Sequence, residues 1–250
     1  LYYLSVPPTA SQDIVELLGQ SGLAEATGTK LLLEKPFGTD LASAEALIEH
    51  SHGHFSEEQV YRIDHYLAKE MAQNLEVFRS GNSLFKRTWN KDFIESIRIT
   101  MTEQIGIEGR AAFYEQTGAL RDIIQSHLLQ LAALTLMELP AKDDWQSIPA
   151  KRLAALDKLQ LPTDDKNQVV RGQYRSYTEE VDNPNSTVET FVSVTLQSDD
   201  PTWTGVPITL TTGKAMSEAL TEIVICYRRD DISEANTLVL RIQPDEGTEL

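Results

Sequence analysis

The run RIDHYLAKE, Arg62 to Glu70, places a carboxylate, an imidazole, a phenol and an ammonium in one short segment, a set suited to chemistry on a phosphorylated substrate. On a helix the adjacent Asp64 and His65 diverge by roughly 100°, whereas His65 and Lys69, four apart, share a face. The apolar periodicity of Leu67, Met71, Leu75 and Phe78 predicts a helix beginning near Asp64. His65 and Lys69 would then lie in its first turns, where backbone N–H groups and the macrodipole attract anions such as phosphate. The same residues also suit the start of an ordinary amphipathic helix capped by Asp64, and spacing does not separate the two readings.

His127 shares a helical stripe with Ile123, Ile124, Leu131 and Leu134 and should face inward. It reads either as a hydrogen-bonded core histidine or as a general base, since burial lowers its basicity and a carboxylate partner restores it. Asp64 could be that partner only through tertiary contact. Lys35 follows the strand-like Leu31–Glu34 and precedes Pro36, which favours extended geometry at the lysine. Ligands of doubly wound sheets gather at such carboxyl ends, although a surface lysine in a turn fits equally well. In the HSHGH segment, His50, His52 and His54 crowd together, with no neighbouring carboxylate or cysteine at ligand spacing, and read as a solvated loop rather than a metal site.

Around these residues the chain opens as a βαβα run. Strand 1–6, breakers Pro7 and Pro8, helix 11–21, strand 31–34 and helix 41–49 are expected in a parallel sheet. From about Phe93 the texture changes to an alternating strand (Ile97, Ile99, Met101), a loop with Gly106 and Gly109, and one long helix from about Thr117 to Glu138. A helical piece near 145–159 and strands near 169–174, 187–196, 206–211, 223–227 and 237–242 follow. Strands in succession predict a mostly antiparallel sheet with helices on one face. The fold class is therefore α+β with an α/β start, divided near Asp64.

At 250 residues, with 41% hydrophobic and 24% charged residues, the composition is that of a globular protein. A formal charge of −16 disfavours nucleic acid and anionic membranes as partners. The single cysteine, Cys226, allows no intrachain disulfide, and no leader or membrane span is recognised, so a cytoplasmic protein is expected. Leu1 is not an initiator methionine, and both ends read as cut from something longer. No glycine-rich phosphate fingerprint, GxGxxG or GxxxxGK, occurs, and the absence of GxSxG and HExxH weakens hydrolase readings.

Eight motifs occur in order along the whole chain: LYYLSVPPT (Leu1 to Thr9), LLLEKPFG (Leu31 to Gly38), EEQVYRIDHYLAKE (Glu57 to Glu70), WNKDFI (Trp89 to Ile94), GALRDIIQSHLLQ (Gly118 to Gln130), VRGQY (Val170 to Tyr174), WTGVP with TGK (Trp203 to Lys214), and RIQPDEG (Arg241 to Gly247). Together they resemble the glucose-6-phosphate dehydrogenase family. The resemblance implies oxidation of glucose 6-phosphate at C1 to the 6-phosphogluconolactone, with hydride delivered to NADP.

By the same resemblance His127 is the general base and Asp64 the carboxylate that orients it. His65, Tyr66 and Lys69 hold the phosphate. Lys35 lies between sugar and nicotinamide, with Pro7 and Pro36 also beside the coenzyme. Glu103 and Asp122 bind sugar hydroxyls, and Lys214 reaches the substrate from the second domain. Ala219 stands where a second basic residue often follows Lys214 by five positions.

Residues 1–64 would be the later part of an incomplete dinucleotide-binding domain, and 65–250 a truncated substrate and dimerisation domain. A homodimer or homotetramer would form through the antiparallel sheet, and the chain alone should be inactive. A non-catalytic subunit that kept the fold, or a related sugar oxidoreductase with an altered substrate, are the competing readings.

Overall fold

The structure, a computed structural model, describes the chain apart from residues 7, 36, 38–39, 66, 68–69, 142–143, 163–167 and 230–234. It divides into two compact units, Leu1–His65 and Tyr66–Leu250.

In the first unit the order is β1 (Tyr2–Leu4), α1 (Pro8–Gln20), β2 (Leu31–Glu34), α2 (Leu41–His52) and β3 (Val60–Ile63). The strands form a parallel sheet in the order β1-β2-β3. Leu31 and Leu33 of β2 are buried with Leu4, Val15, Phe55 and Val60, so the central strand supplies two of this core's four buried strand residues. Asp40 opens α2 with a capping box, accepting from the Ser43 N–H at 2.8 Å while Ser43 Oγ accepts from the Asp40 N–H. The box satisfies one of the N–H groups a helix start leaves unpaired.

Three sequence expectations change here. β3 was not foreseen, because four residues with an arginine among them show too little alternation to stand out. The histidine segment is not a solvated loop: His50 and His52 lie in the last turn of α2, and His54 follows Gly53. Carboxylates do approach them, since His54 Nε2 lies 3.0 Å from Glu16 Oε2 and His52 Nε2 lies 2.7 Å from Glu57 Oε2. Those acids come from α1 and a turn after α2, so tertiary structure brings them in. Finally, no helix begins at Asp64. The chain must clear the end of β3 before it can turn, and the next helix, α3 (Glu70–Gly81), leaves His65 outside it. Lys69 lies outside the described residues.

The second unit continues with α4 (Ser83–Thr88), β4 (Ile94–Thr102), α5 (Ala111–Ala119), a π-helix (Leu120–Leu128), α6 (Leu129–Leu136) and α7 (Ile148–Leu156). There follow β5 (Leu159–Gln160), β6 (Val169–Gly172), α8 (Tyr177–Glu180), β7 (Phe191–Ser198), β8 (Ile208–Gly213), β9 (Leu220–Tyr227), β10 (Thr237–Gln243) and β11 (Gly247–Glu249). The sheet runs β11-β10-β9-β4-β8-β7-β5, with β6 also paired to β7. All its pairings are antiparallel except β4 with β8. Ile97 and Ile99 of β4 are fully buried with Leu210, Ile223, Ile225 and Leu240 of neighbouring strands, and Ile124, Leu128 and Leu131 from the helices complete the core.

The long helix expected over 117–138 is broken. Gly118 takes φ 64°, ψ 176°, a conformation essentially confined to glycine, and the following stretch is wound as a π-helix. An interior glycine was the one local sign of this. At the other end α6 stops at Leu136, and buried side chains take up its terminal carbonyls. Arg79 donates to Leu134 O at 2.7 Å and Met137 O at 2.8 Å, Trp89 to Thr135 O at 2.8 Å, and Trp203 to Leu136 O at 2.8 Å. The last carbonyls of a helix have no partner within it, so these three side chains anchor α6 from three separate parts of the chain.

Candidate active site

The parallel pairing of β4 with β8 sets one end of the site. Thr102 is registered with Gly213, so the next residues, Glu103 and Lys214, leave the sheet side by side. They form an ion pair in which the lysine side chain is only 3% exposed and the glutamate 27%. Backbone bonds fix both: the Glu103 N–H donates to Gly213 O at 2.9 Å, and the Lys214 N–H to Thr190 O at 2.9 Å. Lys214 Nζ also lies 5.4 Å from the centre of the Tyr114 ring, a cation–π contact.

The π-helix brings Asp122 to this pair. Burial pushes its carboxyl pKa up, Lys214 and Arg110 draw it back, and the Glu103 charge adds to the rise. Tyr114 is fully buried, its hydroxyl has no hydrogen-bond partner among the described residues, and its pKa is raised by burial and then by the charges of Asp122 and Glu189. Glu103, Asp122, Lys214 and Tyr114 therefore make a partly buried polar cluster in which one buried cation organises two carboxylates, with Arg110 acting on it from the exposed surface.

His127 is half-buried in the last turn of the same π-helix. In an α-helix, residues five apart such as Asp122 and His127 would diverge by about 140°. The i→i+5 bonding of a π-helix widens the turn and narrows that angle, and such insertions recur at functional sites.

The first unit repeats the strand-end device. Glu34 of β2 is registered with Ile63 of β3, and the next residues, Lys35 and Asp64, form an ion pair at 2.5 Å with side chains 27% and 9% exposed. Tyr3 of β1 donates to Glu34. His65 has a 75% exposed side chain, with Nε2 3.6 Å from Glu34 Oε1. Pro7, Pro36, Tyr66 and Lys69 lie outside the described residues.

The structure thus joins Lys35 with Asp64 in one unit, and Glu103 and Lys214 with Asp122 in the other. Sequence reasoning missed Tyr114, Arg110 and Glu189, because nothing in their local pattern marks them. Among the described residues no group of three or more His, Cys, Asp or Glu could hold a metal, and no helix is long and apolar enough to cross a membrane.

A parallel sheet with crossover helices is thus followed by a mixed sheet whose one parallel strand pair, among the described residues, ends in a buried lysine and a carboxylate, a two-part α+β architecture. Residues 1–74 match the family model described as glucose-6-phosphate dehydrogenase, NAD binding domain, and residues 76–250 match the C-terminal domain of the same enzyme. The chain belongs to the glucose-6-phosphate dehydrogenase family.

It is 40% identical to a glucose-6-phosphate 1-dehydrogenase of Bacillus subtilis over 100% of the chain and 56% of that relative. A solved glucose-6-phosphate dehydrogenase in complex with glucose 6-phosphate superposes with a TM-score of 0.92 at 35% identity, over 98% of this chain and 53% of that one. The corresponding enzyme of Mycobacterium avium gives 0.89 at 37% identity, over 99% of this chain and 57% of that one. The chain spans about half the length of the relatives it matches.

Proposed function

We propose that the whole protein oxidises glucose 6-phosphate at C1 to the 6-phosphogluconolactone, with NADP as hydride acceptor, in the cytoplasm. The observation that carries this reading is the buried Lys214 held by Glu103 beside Asp122, on a chain that resembles this family from end to end.

In the proposed reaction Lys214, Glu103 and Asp122 orient the sugar through charge-assisted hydrogen bonds, which are stronger in a site from which water is excluded. His127 removes the C1 hydroxyl proton as the C1 hydrogen departs, and Asp64 has the role of the carboxylate that favours the imidazolium. His65, Tyr66 and Lys69 take the phosphate. A nicotinamide coenzyme, when bound, supplies the hydride acceptor. The parallel strand ends of the first unit fit such a group, since Lys35 projects where β2 terminates, the place at which parallel sheets bind nucleotides. Lys35, Pro7 and Pro36 would lie beside it.

Association into a homodimer or homotetramer through the large sheet is part of the same proposal. Exposed Val169 and Val170 on the outer strand β6 support it.

Isothermal titration of the protein with glucose 6-phosphate and with glucose tests the reading. A binding isotherm for the phosphate ester that is much tighter than for the free sugar is expected. Equal or absent heats for both would sink it.

A further inference from the structure

We infer that Glu189 is a positioning residue, one that holds the entrance of the π-helix and so sets where Asp122 and His127 stand; the inference rests on the proposed oxidation. The residue at the head of that helix, Ala119, offers no side-chain cap. Glu189 supplies one from a distant part of the chain. Its Oε1 accepts from the Leu120 N–H at 3.0 Å, and its backbone carbonyl accepts from the Ala119 N–H at 2.9 Å. Two amides that a helix start leaves unpaired are thereby satisfied, and a negative charge sits at the positive end of the helix.

The space for this carboxylate exists because residue 118 is glycine. A Cβ on Gly118 would lie 2.5 Å from Glu189 Oε1 and 2.8 Å from its Cδ. The positive φ at Gly118 turns the chain out of α5, so the two features, glycine and glutamate, form one device.

Glu189 is itself fixed by its neighbour. Thr190 is fully buried, its N–H donates to Gly172 O at 2.8 Å, its hydroxyl accepts from the Tyr174 N–H at 2.9 Å, and its carbonyl accepts from the Lys214 N–H at 2.9 Å. The dipeptide Glu189-Thr190 therefore bonds to the start of the helix that carries Asp122 and His127 and to the backbone of Lys214. It ties together groups that come from a helix and from a strand end. The preceding loop is moored to α5 by Glu115, which accepts from Tyr177, Asn183 and Ser186 at 2.6, 2.9 and 2.6 Å.

The test uses the whole protein with Glu189→Ala, Glu189→Asp, Glu189→Gln and His127→Asn. Glu189→Gln keeps an acceptor for Leu120, whereas aspartate is one methylene too short to reach it. Loss of a hydrogen bond from a charged group predicts that the alanine and aspartate variants lose about tenfold or more in kcat, with glutamine within about threefold of the parent. Amide exchange, followed by mass spectrometry, should quicken over residues 119–124 in the first two and stay near the parental rate in the third.

Should the alanine variant not fold, the aspartate and glutamine pair carries the comparison. Unchanged exchange, unchanged kcat in the aspartate variant, or equal losses for aspartate and glutamine would overturn the inference. Full turnover in His127→Asn would instead overturn the proposed chemistry, and the exchange data would still decide whether Glu189 holds the helix.

Discussion

Lys214 and Glu103 emerge side by side because β4 and β8 are parallel and registered to their last residues, Thr102 and Gly213. Lys35 and Asp64 stand in the same relation to β2 and β3. Both units thus use one rule: parallel neighbours end at the same edge, so the residues just beyond them meet without any loop having to place them. Antiparallel neighbours, which make up the rest of the large sheet, send their ends in opposite directions.

Replacing Lys214 by methionine keeps most of the volume and removes the cation. Breaking a buried pair of this kind should cost about 2–3 kcal/mol, less than for a fully buried pair because Glu103 is 27% exposed. Denaturant unfolding monitored by tryptophan fluorescence would measure it. The Asp122 carboxyl, no longer drawn down by the lysine, should titrate higher still, and affinity for glucose 6-phosphate should fall.

His127→Asn should lower turnover of glucose 6-phosphate by at least about 100-fold while leaving KM within a few-fold, because a general base acts in the transition state and contributes little to ground-state binding. Steady-state kinetics on the whole protein would read both constants. Undiminished turnover would remove His127 from the mechanism.

Trp203→Phe preserves an aromatic ring in the core but leaves Leu136 O without its donor. A buried carbonyl left unpaired costs about 1–3 kcal/mol, so the midpoint of thermal unfolding should drop by several degrees while the fold is retained. A variant as stable as the parent would show that the end of α6 finds another donor or water.

Stability of the first unit should decline in acid between pH 4.5 and 2. The hydrogen bonds from Arg62, 2.6 and 3.1 Å long, hold the Glu57 carboxyl down to about 2, against an ordinary 4.5. A depressed carboxylate stabilises the fold above its unfolded pKa, and that contribution is lost as protonation approaches the folded value. The side chain is 58% exposed, so the effect should be modest and sensitive to salt. Thermal melts of Glu57→Gln should show a shallower decline over this window, and an identical decline would remove Glu57 as its source.

The elements that were legible in the sequence are those whose burial repeats along the strand. Ile97 and Ile99 alternate with exposed or half-buried neighbours, and Leu31 and Leu33 bracket a half-buried Leu32. Residues whose roles depend on distant chain were not legible. A π-helix shows much the same apolar stripe as an α-helix over two turns, so Ile123, Ile124 and Leu128 gave no sign of the changed winding. Lys214, Glu103 and Asp122 were singled out through family motifs, and the parallel pairing that joins the first two connects strands more than a hundred positions apart, which no local pattern encodes. Glu189 acts on the amides of Leu120 and Ala119, some seventy positions earlier in the chain, so nothing in its own neighbourhood marks the role.

The same parallel register also determines where this chain can change in length. A residue inserted or deleted within β4 or β8 would displace Glu103 or Lys214 by about 3.3 Å and turn its side chain to the opposite face of the sheet. No adjustment of rotamers would restore the pair. Length variation among natural or engineered versions of this protein should therefore be absent from the two strands that end at the lysine and its carboxylate.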